Sequence, residues 1–378
     1  MTEFNPNVVD ADFGVVLREK FTEVGYLDVM QSISDATYPQ QIIEHLLPTV
    51  DPELSAILQL FCLGRHVPMN LIPTSWNDVL STFQECGIVR IAGGHYTMAP
   101  LCIYVVEGIL YIAECPNPLF SVYFGEDSHA LLGRKRILAP NHTRVLDLCS
   151  GAGIQGISYI NQASEIHLVE LNPLAGNLAE LNAAINFPNN CIDVHVTDLV
   201  TYLETQTLGF DLVLCNPPLV PLPDCYNFNQ VSHGGWDGLR FVRPILGKID
   251  QLLAPGGQLL TIGVSACTGG IPEIEKCLST YLTGMEVSAC LTYLRRLPIS
   301  KGGSWLAMIH DSLLNFGMTG QAPDLDSLAE AYRATETDSV VFYTVSIVRP
   351  LSGSQNCLPV RIVDFTKIAN LEGAWKLR

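Results

Sequence analysis

From Arg144 onward the chain repeats one pattern, a short apolar run followed by a segment with helical spacing. The runs are "RVLDLC", "EIHLVEL", "CIDVHV", "FDLVLC" and "GQLLTIGV". Short buried strands alternating with helices predict a mostly parallel sheet covered by helices on both faces. The helices are legible too. "NPLAGNLAELNAAINF" places Leu174, Leu178, Leu181 and Ile185 on one face. "GLRFVRPILGKIDQLLAPGG" ends at a Pro-Gly-Gly stop. Further on, "MEVSACLTYLRR" and "SVVFYTVSIVRP" read as late strands, with the polar, helix-favouring "PDLDSLAEAYRATETD" between them.

Before about Leu138 the period is different. "DPELSAILQLFCLG" and "SWNDVLSTFQECGIV" carry apolar residues at helical spacing, and "VRIAGGHYTMAPLCIYVVEGILYIAEC" carries two β-rich runs around Gly93 and Gly94. We therefore expect two domains, 1–138 mainly helical and winged-helix-like, and 139–378 built on the alternating sheet. Winged helices often bind DNA, but "SWNDVLSTFQECG" has no Lys or Arg to meet a phosphate, which favours a lid or substrate-positioning role.

Charge points the same way. With 21 Lys and Arg against 38 Asp and Glu, the net charge of -17 repels a phosphate backbone, so nucleic acid is the less expected partner. The 12 cysteines are scattered, without a CxxC pair or Cys/His spacing typical of zinc. They read as reduced, mostly buried thiols, and no metal is expected. The N-terminus lacks the basic and apolar regions of a signal peptide. The longest apolar run, "PLCIYVVEGILYIAEC", is broken by Glu107 and Gly108. A cytoplasmic protein with no membrane partner is the expectation.

The turn after the first strand of the alternating region is the first candidate site. Asp147 ends the strand, and Ser150, Gly151, Ala152, Gly153 and Gly156 lead into a helix. Missing side chains let a ligand approach the backbone, and about twenty residues on Glu170 ends the next strand, where a carboxylate can accept both hydroxyls of a ribose. A nucleoside-containing cofactor follows. Beside a pyrophosphate, Asp147 would add repulsion. S-adenosylmethionine instead brings an ammonium and a sulfonium, which a carboxylate attracts.

"VLDLCSGAGIQGI", "VELNPLAGNLAELNAAIN", "VTDL" and "NPPL" together, spanning about Pro140 to Val264, resemble the class I S-adenosylmethionine-dependent methyltransferases. More narrowly they resemble the NPP-type amino-methyltransferases, which include protein glutamine N-methyltransferases and ribosomal RNA guanine-N2 methyltransferases. The resemblance implies a seven-stranded Rossmann-like α/β sheet with a late antiparallel strand, and S-adenosyl-L-methionine as cofactor. It puts Asp147, Gly151 and Gly153 around the methionine part, Glu170 on the ribose, Asp198 near the adenine amino group, Leu171 and Leu199 on either side of the adenine ring, and Asn216 at the reacting centre, with Ser150 of the same turn also binding the cofactor.

Asn216-Pro217-Pro218-Leu219 follows "FDLVLC", at the carboxyl end of a strand, where open α/β sheets hold their ligands. Two prolines stiffen the backbone and remove donors, leaving carbonyls as acceptors. An amino substrate can then donate one N–H to the Asn216 side-chain oxygen and another to the Pro217 carbonyl. In the family the fourth position is usually aromatic, and here it is Leu219. Stacking on a planar substrate then falls to Tyr226, Phe228 or Trp236, with His233 beside them. Upstream, Tyr123, Phe124 and Asp127 resemble the segment that closes over the cofactor. The substrate expected from this set is a small metabolite or a peptide-like amine. The alternatives are a protein glutamine, an RNA base, or a non-catalytic cofactor-binding regulator that uses the winged domain on DNA.

Overall fold

The computed structural model describes residues 4–34, 39–98, 100–115, 122–136, 144–187, 192–226, 231–316, 322–351, 360–367 and 375. Chain contacts divide it into two compact units, residues 1–129 with 150–196, and residues 130–149 with 197–378.

The first unit opens with helices α1 (Phe13–Glu23), α2 (Tyr26–Ser32), α3 (Pro39–Leu46), α4 (Pro52–Phe61) and α5 (Asn77–Glu85). The start of α4 is set locally: the Asp51 side chain accepts from the Leu54 N–H at 3.0 Å, and Pro52 supplies a helical φ without needing a partner for a missing N–H. These helices close over an aromatic core in which Phe21 stacks on Tyr26 at 4.2 Å and meets Phe61 edge-on at 5.4 Å. Strands β1 (Val67–Pro68), β2 (Arg90–Ala92) and β3 (His95–Thr97) form a small sheet in the order β1-β3-β2, with Gly93 and Gly94 turning the hairpin as expected. The long apolar run folds back on itself as β4 (Leu101–Val106) and β5 (Ile109–Glu114), paired antiparallel from Val106 and Ile109 and buried throughout. No described helix is long and apolar enough to cross a membrane.

Nine further strands follow along the chain: β6 (Arg144–Leu148), β7 (Glu165–Glu170), β8 (Ile192–Val196), β9 (Phe210–Cys215), β10 (Leu253–Thr268), β11 (Ile271–Pro272), β12 (Ser288–Pro298), β13 (Thr337–Val348) and β14 (Arg361–Asp364). All five runs of the alternating region are strands. Seven of the nine answer to the seven strands expected, and β14 and the two-residue β11 are additional. In the second unit the hydrogen-bonded order is β14-β12-β13-β10-β9-β6. Strands β6, β9 and β10 are parallel, while β13 runs antiparallel to both β10 and β12. In the first unit β7 and β8 pair in parallel.

Helix α8 (Pro173–Asn186) of the first unit buries Leu178, Leu181 and Ile185, as its spacing predicts, while Leu174 in its first turn is only half-buried. It also carries two asparagines one turn apart that complete an open strand edge. Asn182 accepts from the Ile112 N–H at 2.8 Å and donates to the Ile112 carbonyl at 3.0 Å. Asn186 does the same for Leu110, at 2.9 and 2.8 Å. A helix rises about 6 Å over four residues and a strand about 6.7 Å over two, so the two amides reach alternate residues of β5. The helix predicted over "GLRFVRPILGKIDQLLAPGG" is split at Gly247 and Lys248 into Val242–Leu246 and Ile249–Leu252, and stops before the Pro-Gly-Gly signal as expected.

Candidate active site

In the first unit the glycine turn is built around one carboxylate. Glu170, the last residue of β7, accepts from the Gly151 N–H and from the Asn172 N–H, each at 2.8 Å. Each carboxylate oxygen therefore keeps acceptor capacity for a further donor, as a ribose hydroxyl requires. Burial pushes the Glu170 carboxyl above its usual range, partly offset by those backbone donors. Gly151 has φ +57°, and a Cβ added there would meet no atom within 4 Å. The Ser150 hydroxyl is buried and takes no hydrogen bond among the described residues. Open space beside a left-handed glycine, a buried hydroxyl in need of a partner and a carboxylate with spare acceptor sites fit a polar ligand with hydroxyl donors. The turn is pinned from behind, where the Asn182 amide donates to the Ala152 carbonyl at 3.0 Å. Leu171 stays 60% exposed next to Glu170, available to cover an aromatic face.

In the second unit Asp147 is fully buried near the end of β6, opposite Leu214 of β9. Asn216 is the first residue beyond β9 and is half-buried. The segment after it is clamped by the loop 231–240. Val220 and His233 form an isolated parallel bridge, the Val220 N–H donating to Ser232 at 2.8 Å and the Gly234 N–H to Val220 at 2.9 Å. A Cβ on Gly234 would lie 2.9 Å from the Leu219 carbonyl carbon, and one on Gly238, whose φ is +80°, only 1.9 Å from the Val264 oxygen. The buried Asp237 carboxylate holds this loop by ion-pairing Arg243 and accepting from the Leu239 N–H at 3.1 Å. Helix α14 (Leu325–Ala334) braces the other side, with the buried Tyr332 hydroxyl donating to the Pro221 carbonyl at 2.8 Å and Tyr226 donating to Ser327 at 3.3 Å.

His233 Nδ1 accepts from the Gly235 N–H at 3.2 Å, so the neutral ring carries its proton on Nε2. Burial lowers its pKa, which favours that neutral form. It presents a donor, not a base. Trp236 is half-buried in the same loop. Asp198 caps helix α9 (Leu199–Thr205), accepting from the Val200 and Thr201 N–H groups at 3.0 Å and from the Thr201 hydroxyl, which holds its carboxyl below the usual range. Leu199 is buried behind it.

The structure thus gathers Ser150, Gly151 and Glu170 in one unit, and Asn216, Pro217, Pro218, Leu219 and His233 in the other. Gly153 packs inward, where a Cβ would lie 2.9 Å from the Ile157 and Leu168 side chains. Tyr123 is 40% exposed, while Phe124 is buried among Tyr104, Tyr111 and His129, and Asp127 is buried in Glu126–Leu132. Phe228 lies outside the described residues. Sequence reasoning missed Asn182, Asp237, Gly238 and Tyr332. Only the Gly-Gly-Trp-Asp-Gly spacing hinted at any of them, because the rest act through partners 30 or more residues away.

The methyltransferase small domain model matches residues 127–267. A Methanocaldococcus jannaschii protein, provisionally named a protein N5-glutamine methyltransferase, is 33% identical over 172 residues, 44% of this chain and 82% of that one. The ribosomal protein uL3 glutamine methyltransferase of Bradyrhizobium diazoefficiens is 29% identical, over 43% of this chain and 53% of the relative. The tRNA1(Val) (adenine(37)-N6)-methyltransferase of Dickeya chrysanthemi is 34% identical, over 32% and 49%. The chain spans about half the length of most of these curated relatives. Among solved structures, a SAM-dependent methyltransferase from Agrobacterium tumefaciens aligns over 71% of this chain and 79% of its own, at 13% identity and a TM-score of 0.43.

Proposed function

The chain belongs to the class I S-adenosylmethionine-dependent methyltransferases, and from that premise we propose that it methylates an amino or amide nitrogen of a small metabolite or peptide-like substrate. Bound S-adenosylmethionine supplies an electrophilic methyl group on a sulfonium. The cofactor is held by Glu170 on the ribose hydroxyls and by the open backbone at Ser150 and Gly151, with Asp147 and Asp198 as the further acidic contacts, and Leu171 and Leu199 along the adenine. Asn216 and the Pro217 carbonyl accept the two N–H bonds of the substrate nitrogen and turn its lone pair outward. Pro217 and Pro218 keep that backbone stiff, so the acceptors need little rearrangement during reaction. Leu219, Trp236, His233 and Tyr226 form the substrate side, with Tyr123 and Phe124 of the first unit as further candidates.

The observation that carries this reading is the braced Asn216–Leu219 segment directly after β9, fixed by Gly234, Gly238 and Tyr332. A nitrogen acceptor is further supported by His233, whose Nδ1 is occupied by the Gly235 N–H, so that no base is offered there for an oxygen nucleophile. Names of relatives add support for a planar amide, since one is named a glutamine methyltransferase and another is provisionally named one. The tRNA adenine methyltransferase among them supports an RNA base as the second reading, against which the net charge of -17 weighs. The test incubates pure protein and methyl-labelled cofactor with lysate separated into small molecules, proteins and RNA, followed by mass spectrometry of the product. Label on nitrogen in a metabolite or peptide is the expected result. Label on oxygen or carbon, or label confined to RNA, refutes the assignment.

A further inference from the structure

On the parallel pair β7 and β8, remote in sequence from Asn216, three side chains with ligating atoms converge. The register sets His167 opposite Asp193 and Val169 opposite His195. Residues two apart share a strand face, so Glu165 and His167 project together from β7, and Asp193 and His195 from β8. His167 Nδ1 lies 3.0 Å from His195 Nε2, His195 Nε2 lies 3.3 Å from Asp193 Oδ2, and the third edge is 3.9 Å. Two ligands at about 2.0–2.1 Å from a tetrahedral zinc ion are about 3.3 Å apart, a value these three edges bracket.

The orientation of His167 adds a second, independent reason. Its other nitrogen, Nε2, stands 2.8 Å from Glu165 Oε1. A carboxylate there requires Nε2 to carry a proton, so in the neutral ring the Nδ1 lone pair points into the triangle. Carboxylate behind histidine is the usual support of a metal-bound imidazole. The Nδ1 lone pair, a second imidazole nitrogen and a carboxylate oxygen then lie around one point at the spacing of ligands on a single cation.

We propose that His167, His195 and Asp193 bind one divalent transition ion of the zinc class, with Glu165 orienting His167 from behind. Two neutral imidazoles and one carboxylate suit zinc, cobalt or nickel, whereas calcium and magnesium ask for oxygen ligands throughout. The ion can enter from solvent, because the Asp193 side chain is 63% exposed and that of His195 30%, while that of His167 is 8% exposed and forms the floor. The site has a structural use. Strand β8 has no fully buried residue, and an ion held by two of its side chains and one of β7 would tie it to its neighbour. The proposal is independent of methyl transfer and assigns the ion no part in it.

The experiment uses the untagged full chain, stripped with chelator and titrated calorimetrically with zinc, and with cobalt while visible absorption is recorded. One equivalent of zinc, and the intense visible bands of four-coordinate cobalt, are expected. His195→Gln, at a half-buried position, and Asp193→Asn, at an exposed one, should each keep the circular dichroism of the wild-type fold and weaken binding by about tenfold or more. His167→Gln is a supplementary variant, since burial of that ring makes its folding less secure. Absence of saturable binding by the wild-type chain, or undiminished binding in His195→Gln or Asp193→Asn, overturns the site and leaves a hydrogen-bonded histidine pair.

Discussion

The molecule contains two glycine-rich turns that look alike in sequence and differ in what surrounds them. In "CSGAG" the residue Gly151 faces open space, with no atom within 4 Å of where a Cβ would be. In "HGGWDG" a Cβ at Gly238 would overlap the Val264 carbonyl oxygen at 1.9 Å. Both residues have positive φ, so both are strained in any other residue. The difference is that the first turn leaves room for a ligand and the second lets one backbone lie against another. A glycine-rich loop is therefore a statement about close approach, and the approaching partner can be the protein itself. Here the tight turn fixes the segment that carries Asn216.

Asn216→Ala should produce the largest change. Loss of one well-placed acceptor at a reacting centre costs on the order of a hundredfold in turnover, or about 2.7 kcal/mol, while cofactor affinity measured by calorimetry stays nearly constant. Parallel loss of cofactor affinity would remove the division of labour between the two turns. The next contrast is Gly238→Ala against Gly151→Ala. A left-handed non-glycine residue costs roughly 1–2 kcal/mol at either position, and overpacking against Val264 adds about 1–3 kcal/mol at Gly238 alone. Chemical denaturation should rank Gly238→Ala as clearly the less stable, with turnover falling alongside. Gly151→Ala should stay folded and lose cofactor binding. Equal destabilisation by the two variants breaks the comparison.

A smaller effect is expected at the brace. Tyr332→Phe leaves the Pro221 carbonyl without its buried donor, which costs about 1–2 kcal/mol, and kcat should drop more than cofactor affinity. Unchanged stability and unchanged kcat would show that α14 is a bystander to the Asn216 segment.

The subtlest test is pH. Since burial raises the Glu170 pKa, its contribution to fold stability is fully present below the unfolded pKa and is lost as pH rises through the raised folded value. Ribose binding has the opposite sign, because it needs the ionised carboxylate as acceptor. Cofactor affinity should therefore weaken as pH falls through that raised value, whereas Glu170→Gln should bind weakly with a flat profile. A pH-dependent decline that persists in Glu170→Gln would assign it to another group.

Much of this was legible without coordinates, for a local reason. The five apolar runs, the Pro-Gly-Gly stop and the Gly93-Gly94 hairpin follow from side-chain period and turn chemistry, which act between near neighbours, whereas the antiparallel direction of the late strand came from the family resemblance. Asp147, Glu170 and Asn216 were legible as strand-end residues by the same logic. What Asp198 does locally, as the cap of α9, follows from the spacing of an acid before a helix, and its role at adenine remains part of the proposal. The tertiary structure alone decided the rest. Asn182 and Asn186 read as polar interruptions of an apolar face until β5 brings Ile112 and Leu110 to them. Tyr332 reads as a helix aromatic until Pro221 lies 2.8 Å from its hydroxyl. His167, Asp193 and His195 match no linear metal spacing, because their meeting depends on the register of two parallel strands separated by a helix. Period and turn type are written in consecutive residues, whereas a hydrogen bond across 70 or more positions exists only once the chain has closed the loop between its ends.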